Sequence, residues 1–336
     1  MSEILRLPLP DDFHIHLRQD AALPGYVRDA ASQFGRVLVM PNTLPPISDP
    51  THLREYKSLI ESSAPGLEAL MTFKLNARYG EAELRALQQA GAIAGKYYPA
   101  GVTTNSQDGI GDFESVLPVI AIMEKLDLVL CLHGEEPGAF CLDREEAFLK
   151  RVQVLVDQFP KLRIVLEHLS TEGAVKAVRA WPARVSATIT VHHLMLTLDD
   201  LIGDGLMPHH FCKPVVKRPS DRQALLDAAT SGNSKFFLGT DSAPHHRGKK
   251  ECPCGAAGVY TAPVAIPLLV EIFTAADRLP QLNDFIAGFG ADFYRLARTQ
   301  RELVLEKSPW QVPEECNGVV PLRAGATLQW KIHSIK

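Results

Sequence analysis

The sequence predicts an α/β fold, a (β/α)8 (TIM) barrel with a short C-terminal extension, on three observations. Eight short apolar, β-branched runs recur between residues 12 and 241. Stretches of helical period separate most of them, the alternation expected of parallel βα units. Four of the eight runs end in a histidine or aspartate that could hold a metal, and barrel enzymes gather their catalytic groups at the carboxyl ends of strands. A doubly wound open sheet would carry a Gly-rich first turn, whereas the first turn here reads HIHLRQD.

The eight strand candidates, in order, are residues 12–16 (DFHIH), 36–40 (RVLVM), 69–74 (ALMTFK), 93–97 (IAGKY), 128–133 (LVLCLH), 163–168 (RIVLEH), 184–190 (RVSATIT) and 235–241 (KFFLGTD). Between them, 81–90 (EAELRALQQA) is the clearest helix, stopped by Gly91. Residues 113–125 and 143–158 have the same pattern, and 221–229 leads into the eighth strand. Beyond residue 241 come helical stretches at 259–277 and 282–296, then a short strand-forming tail at 318–332. No internal repeat or long linker marks a second domain. The expectation is one unit over 1–336, with about 259–336 packed on the barrel.

Composition excludes several function classes. Apolar residues make up 46% and charged residues 22%, an ordinary globular balance. The 39 acidic and 35 basic residues leave −4, with no Lys/Arg block, so neither nucleic acid nor a membrane surface is an expected partner. No apolar run approaches the ~20 residues that span a bilayer. The start, MSEILRLPLP, is not a signal peptide, so a cytoplasmic location is expected. The cysteines at 131, 141, 212, 252, 254 and 316 are scattered and read as reduced thiols. Cys252-Pro-Cys254 is too tightly spaced for a zinc knuckle and lacks a second pair.

The chemistry concentrates at strand ends. In an H-x-H strand both side chains point to one face, so His14 and His16 can grip one ion from inside a barrel. His133, His168 and Asp241 end three other strands, and Lys96 stands near the end of the fourth. A lone buried histidine is ordinarily satisfied by a hydrogen bond, but this many ending separate strands read as one site. Lys96 leaves two readings open. An ammonium repels metals and binds an anion, whereas a carbamate formed with carbon dioxide could bridge two cations. His192-His193 and His209-His210 follow the seventh run with no evident ligand geometry, and His52, His246 and His333 read as surface residues.

The segments DDFHIHLRQ, VLVMPNT, GKYYPAGVTTNS, LHGE, LEHLST and FLGTDSAPH, in this order, carry a resemblance. Across its whole length the chain resembles the bacterial-type (class II) dihydroorotases of the amidohydrolase superfamily. The resemblance implies two zinc ions about 3.5–4 Å apart. His14, His16 and Asp241 would hold the more buried ion, His133 and His168 the second, and carboxylated Lys96 would bridge both. It implies reversible cyclisation of N-carbamoyl-L-aspartate to L-dihydroorotate, a step of pyrimidine synthesis, with Asp241 taking a proton from the attacking hydroxide and passing it to the ring nitrogen.

For the substrate, the resemblance implies a carboxylate held by Arg18, assisted by Asn42 and His245. Backbone groups of Lys213 and Ala257 would meet the ring, and His16 and His133 would reach substrate as well as metal. The polar, Gly-rich loop 99–112 would close over it with Thr103 and Thr104. Enzymes of this kind are often homodimers. A hydantoinase or allantoinase would share the metal pattern but not Arg18, Asn42 and the His245 segment. A barrel serving only as a scaffold would be expected to lose ligands, and all six are present here.

Overall fold

A computed structural model describes residues 3–102 and 109–336. Its strands are β1 (Ile4–Pro8), β2 (Asp11–Ile15), β3 (Arg36–Val39), β4 (Glu68–Lys74), β5 (Ala92–Tyr97), β6 (Val129–His133), β7 (Ile164–Glu167), β8 (Val185–Ile189), β9 (Phe236–Leu238), β10 (Glu302–Gln311) and β11 (Thr327–Ile335). Strands β2 to β9 form one eight-stranded sheet in sequence order, each parallel to the next. It curls until its first strand meets the chain just past its last. The Asp241 N–H donates to the His14 carbonyl at 2.8 Å, and the His16 N–H to the Ser242 carbonyl at 3.0 Å. All eight expected barrel strands are present.

The strands read as near-continuous apolar runs because both faces are covered; every residue of β2, β6 and β8 is buried. Phe13, Leu38, Met40, Leu70, Ala94, Val129, Cys131, Val165 and Phe237 fill the barrel interior. Period two then carries Lys96 above Ala94, His133 above Cys131 and Glu167 above Val165, onto the same inner face. A register shift between Asp12 and Ile15 interrupts that rule in β2. It lets Phe13 join the inner cluster while His14 and His16 both turn to the site above it.

Several expected boundaries are corrected. The eighth strand was expected through Asp241 but ends at Leu238, because Asp241 turns to φ 46. Helix occupies only Ala265–Ala275 of 259–277, since Val259 and Tyr260 make β-bridges instead. The stretch 282–296 splits into Leu282–Ala287 and Phe289–Tyr294 around Gly288. The second piece plugs the floor of the barrel, where Tyr294 stacks on Phe13 at 4.9 Å. A Cβ on Gly290 would come within 2.2 Å of the Phe13 ring, so only glycine permits that approach.

The extension is also more than C-terminal. β1 pairs antiparallel with β10, and β10 with β11, so both ends of the chain share one three-stranded sheet. No helix among the described residues is long and apolar enough to cross a membrane.

Candidate active site

The six expected ligands converge at the carboxyl end of the barrel, and all six are buried. Asp241 Oδ1 lies 3.2 Å from His14 Nε2 and 3.0 Å from His16 Nε2. The two Nε2 atoms are 3.3 Å apart. A point about 2 Å from all three atoms exists between them, the length of a zinc–nitrogen or zinc–oxygen bond. The His168 ring neighbours His14 at 5.1 Å and His133 at 4.8 Å, extending the cluster towards β6.

Electrostatics leaves His14, His16, His168 and Asp241 in ligating form. Burial pushes the His14 imidazolium down to about 3, despite opposition from Asp241. It also lowers His16 and, with His133 beside it, holds His168 well below the ordinary range. Burial works to raise the Asp241 carboxyl, but His14 and His16 outweigh it and hold the group well below the carboxylate range. His14, His16 and His168 are therefore neutral imidazoles near a carboxylate, the protonation states that metal binding requires. Burial pushes the Lys96 ammonium down to about 7, against the pull of Cys131 and Asp241. The neutral amine, the form that reacts with carbon dioxide, is thus accessible near neutral pH. The donors fit a metal ion: His14, His16 and Asp241 offer ligand atoms within 4.8 Å of one another, and His168 Nδ1 is buried with no hydrogen-bond partner among the described residues.

Three acidic residues support the ligands without having been assigned from the sequence. Glu167 Oε2 lies 2.9 Å from Lys96 Nζ and also faces His14 Nδ1. That contact directs the His14 Nε2 lone pair towards Asp241. Glu135 Oε2 meets His133 Nε2 at 2.7 Å. Asp12 accepts the His14 N–H (3.1 Å), the Thr240 N–H (2.8 Å) and the Thr240 hydroxyl (2.6 Å). It braces the first barrel strand to the end of the last. The available signal for Glu167 was a carboxylate inside an otherwise apolar strand, where a charge is retained only with a partner.

Three of the site residues adopt left-handed backbone: Arg18 (φ 59), His168 (φ 45) and Asp241 (φ 46). None is a glycine, and such conformations cluster where the surrounding structure imposes them for function.

A cleft beside the cluster is lined by His16, Arg18, Asn42, Lys213, Asp241, Ala243, Ala257 and Gly258. It joins five of the expected substrate residues. His245 is attached through Arg18 Nη2 at 2.9 Å and the Ala257 carbonyl at 3.0 Å, both at its Nε2. Burial and Arg18 push His245 down to about 2, so the ring is neutral, and that nitrogen either accepts from Arg18 or donates to Ala257. Lys250 donates to the carbonyls of Phe211 (2.9 Å), Ala256 (2.9 Å) and Gly258 (2.6 Å), fastening the Ala257 wall. His133 lies with Glu135 and His168 rather than in this lining. Thr103 and Thr104 fall outside the described residues.

The expectation for His192-His193 is corrected. Both are fully buried, and their ligand atoms lie with that of Cys212 inside a group spanning 4.8 Å.

No family model matches the chain. It is 45% identical over 336 residues to the dihydroorotase of Coxiella burnetii, covering 97% of each chain. The crystal structure of the Saccharomyces cerevisiae dihydroorotase in complex with 5-fluoroorotic acid superposes with a TM-score of 0.92 at 34% identity, covering 99% of both chains. That of the Campylobacter jejuni dihydroorotase gives 0.92 at 36%, covering 99% of this chain and 98% of that one. The L-hydantoinase of Arthrobacter aurescens shares the fold, with a TM-score of 0.83 at 16% identity over 97% of this chain and 82% of that one. A barrel whose ligands converge beside an arginine-lined cleft, and near-full-length identity of 45% to a dihydroorotase, show that this chain belongs to the dihydroorotase family, hydrolases acting on cyclic amides.

Proposed function

We propose that the chain, acting as one catalytic unit over residues 1–336, catalyses the reversible, zinc-dependent cyclisation of N-carbamoyl-L-aspartate to L-dihydroorotate and water. The observation that carries this reading is the Asp241 carboxylate. It sits between His14 and His16 in the same cleft as Arg18, so a proton carrier and a carboxylate receptor face one small space. His14, His16 and Asp241 would hold one zinc ion, His133 and His168 a second, with Lys96, carboxylated by carbon dioxide, between them. Bound there, zinc supplies polarisation of the scissile carbonyl and acidification of water.

The protein's own groups do the rest. Arg18 pairs with the substrate carboxylate, with Asn42 and the neutral His245 beside it. Backbone groups of Lys213 and Ala257 orient the ring. In hydrolysis, water oxygen adds to the ring carbonyl carbon and Asp241 takes its proton. The ring C–N bond then breaks, and Asp241 returns the proton to the departing nitrogen. Cyclisation is the reverse. Thr103 and Thr104, outside the described residues, would donate hydroxyl hydrogen bonds to the substrate. The enzyme acts in the cytoplasm as a homodimer.

Purified protein supplied with zinc and bicarbonate should interconvert dihydroorotate and carbamoyl aspartate, followed by ultraviolet absorbance. No turnover in either direction overturns the proposal, and faster turnover of hydantoin than of dihydroorotate would move the chain to a different cyclic amide.

A further inference from the structure

Outside the catalytic cluster, one group of buried ligand atoms has no part in the reaction described. Thr190 caps the short helix Val191–Met195, accepting the His193 N–H. This sets the His192 and His193 rings 4.6 Å apart. Cys212 reaches them from a segment 19 residues on from His193. His193 Nε2 and Cys212 Sγ each lie 3.1 Å from the Pro214 carbonyl oxygen, and 4.0 Å from one another. One point therefore stands about 2 Å from all three atoms, close to zinc–nitrogen and zinc–oxygen lengths and slightly short of the ~2.3 Å of zinc–sulfur.

The fourth donor is the one with no present occupation. Both ring nitrogens of His192 are buried and have no hydrogen-bond partner among the described residues. One of them belongs to the group of ligand atoms within 4.8 Å of one another. A buried imidazole satisfied at neither nitrogen is costly unless something fills the gap.

We propose that His192, His193, Cys212 and the Pro214 carbonyl form an additional metal site, separate from the catalytic pair. Two imidazoles and a thiolate select a borderline-soft cation such as Zn2+ over Mg2+ or Ca2+. Binding a divalent cation exchanges it for one proton. Cys212 gives up its S–H proton to solvent, and the His193 proton moves from Nε2 to Nδ1. There it faces Thr190 Oγ1 at 2.9 Å, which changes from donor to acceptor. Lys213, held between Cys212 and Pro214, lines the substrate cleft. A cation here ties one wall of that cleft to the helix after β8.

Cobalt substitution tests the site in the full-length protein. None of the six catalytic ligands carries sulfur, so a thiolate-to-Co2+ charge-transfer band in the near ultraviolet cannot arise from them. The band should appear in the cobalt-loaded wild type and vanish in Cys212→Ser, which should bind one fewer equivalent of metal. It should persist in a Cys252→Ser/Cys254→Ser double variant, and His192→Phe should weaken cobalt binding at least tenfold. Absence of the band from the wild type overturns the proposal, as does its survival in Cys212→Ser or its loss from the double variant. If Cys212→Ser does not fold, His192→Phe decides: cobalt affinity and band unchanged from the wild type overturn the proposal. The band does not depend on turnover, so failure of the assigned reaction would leave this result intact.

Discussion

Replacing Arg18 with lysine separates substrate recognition from chemistry. The guanidinium is already committed along one edge: Nε donates to the Pro244 carbonyl at 3.1 Å, and Nη2 meets His245 Nε2 at 2.9 Å. Its own carbonyl accepts the Tyr56 hydroxyl at 2.5 Å. The planar fork can hold those partners and still offer N–H groups to a carboxylate in the cleft, which a single ammonium cannot do. Lysine keeps the charge and tolerates the left-handed backbone no worse than arginine, so the expected loss is about one charge-assisted hydrogen bond. That is about 1.5–3 kcal/mol, or roughly a ten- to hundredfold rise in KM. Because Asp241 is untouched, kcat should stay within about threefold. Both dihydroorotate and carbamoyl aspartate carry the carboxylate, so KM should rise in both directions of a steady-state ultraviolet assay. An unchanged KM, or a collapsed kcat at unchanged KM, refutes the assignment of Arg18 to ground-state carboxylate binding.

Other perturbations probe the remaining parts. Asp241→Asn should lower kcat by on the order of a thousandfold or more by removing the proton carrier, with little change in circular dichroism; near-normal turnover rejects the role. Lys96→Ala should lose activity and one zinc per chain, with partial rescue by small carboxylic acids; a variant that retains two zincs shows that Lys96 is not the bridge. Glu145 accepts the Ser170 N–H and the Thr171 hydroxyl just past His168, and burial raises its carboxyl to about 7, outweighing Lys217 and these hydrogen bonds. Between about pH 4.5 and 7 the folded state thus keeps a proton that the unfolded state has lost, and the contribution of Glu145 to stability falls as pH rises. Relative to Glu145→Gln, the wild type should lose up to roughly 3 kcal/mol across that window in urea unfolding. A difference that does not change with pH contradicts this.

The barrel was legible because strands buried on both faces must be apolar throughout, and β2 to β9 have few turn residues to confuse them. β10 was hidden by its composition: ELVLEKSPWQ buries only Leu303, Val304 and Leu305 and then turns polar, with a proline in its second half. β1 is a five-residue edge strand whose partner lies almost 300 residues away. The ligands were legible because each lies at or just past the carboxyl end of a barrel strand, so topology alone brings them together. His168 and Asp241 owe their final aim to left-handed turns that no glycine or asparagine announces. The His192–His193–Cys212 grouping depends on how the segment 198–214 folds back, which no spacing rule encodes.

The Asp12 brace has a consequence for how this protein comes into being. It joins Asp12 to Thr240, residues 228 apart in sequence, and His14 and His16 stand on one side of that seam with Asp241 on the other. During synthesis the two histidines emerge early, but their carboxylate partner follows only after nearly three-quarters of the chain. Contacts this distant in sequence form late, because their loop entropy must be met first. The tightest donor triad therefore appears only as the ring of strands closes. A nascent or truncated chain ending before residue 241 has the histidines without the trap, so metal capture by that triad reports completion of the barrel.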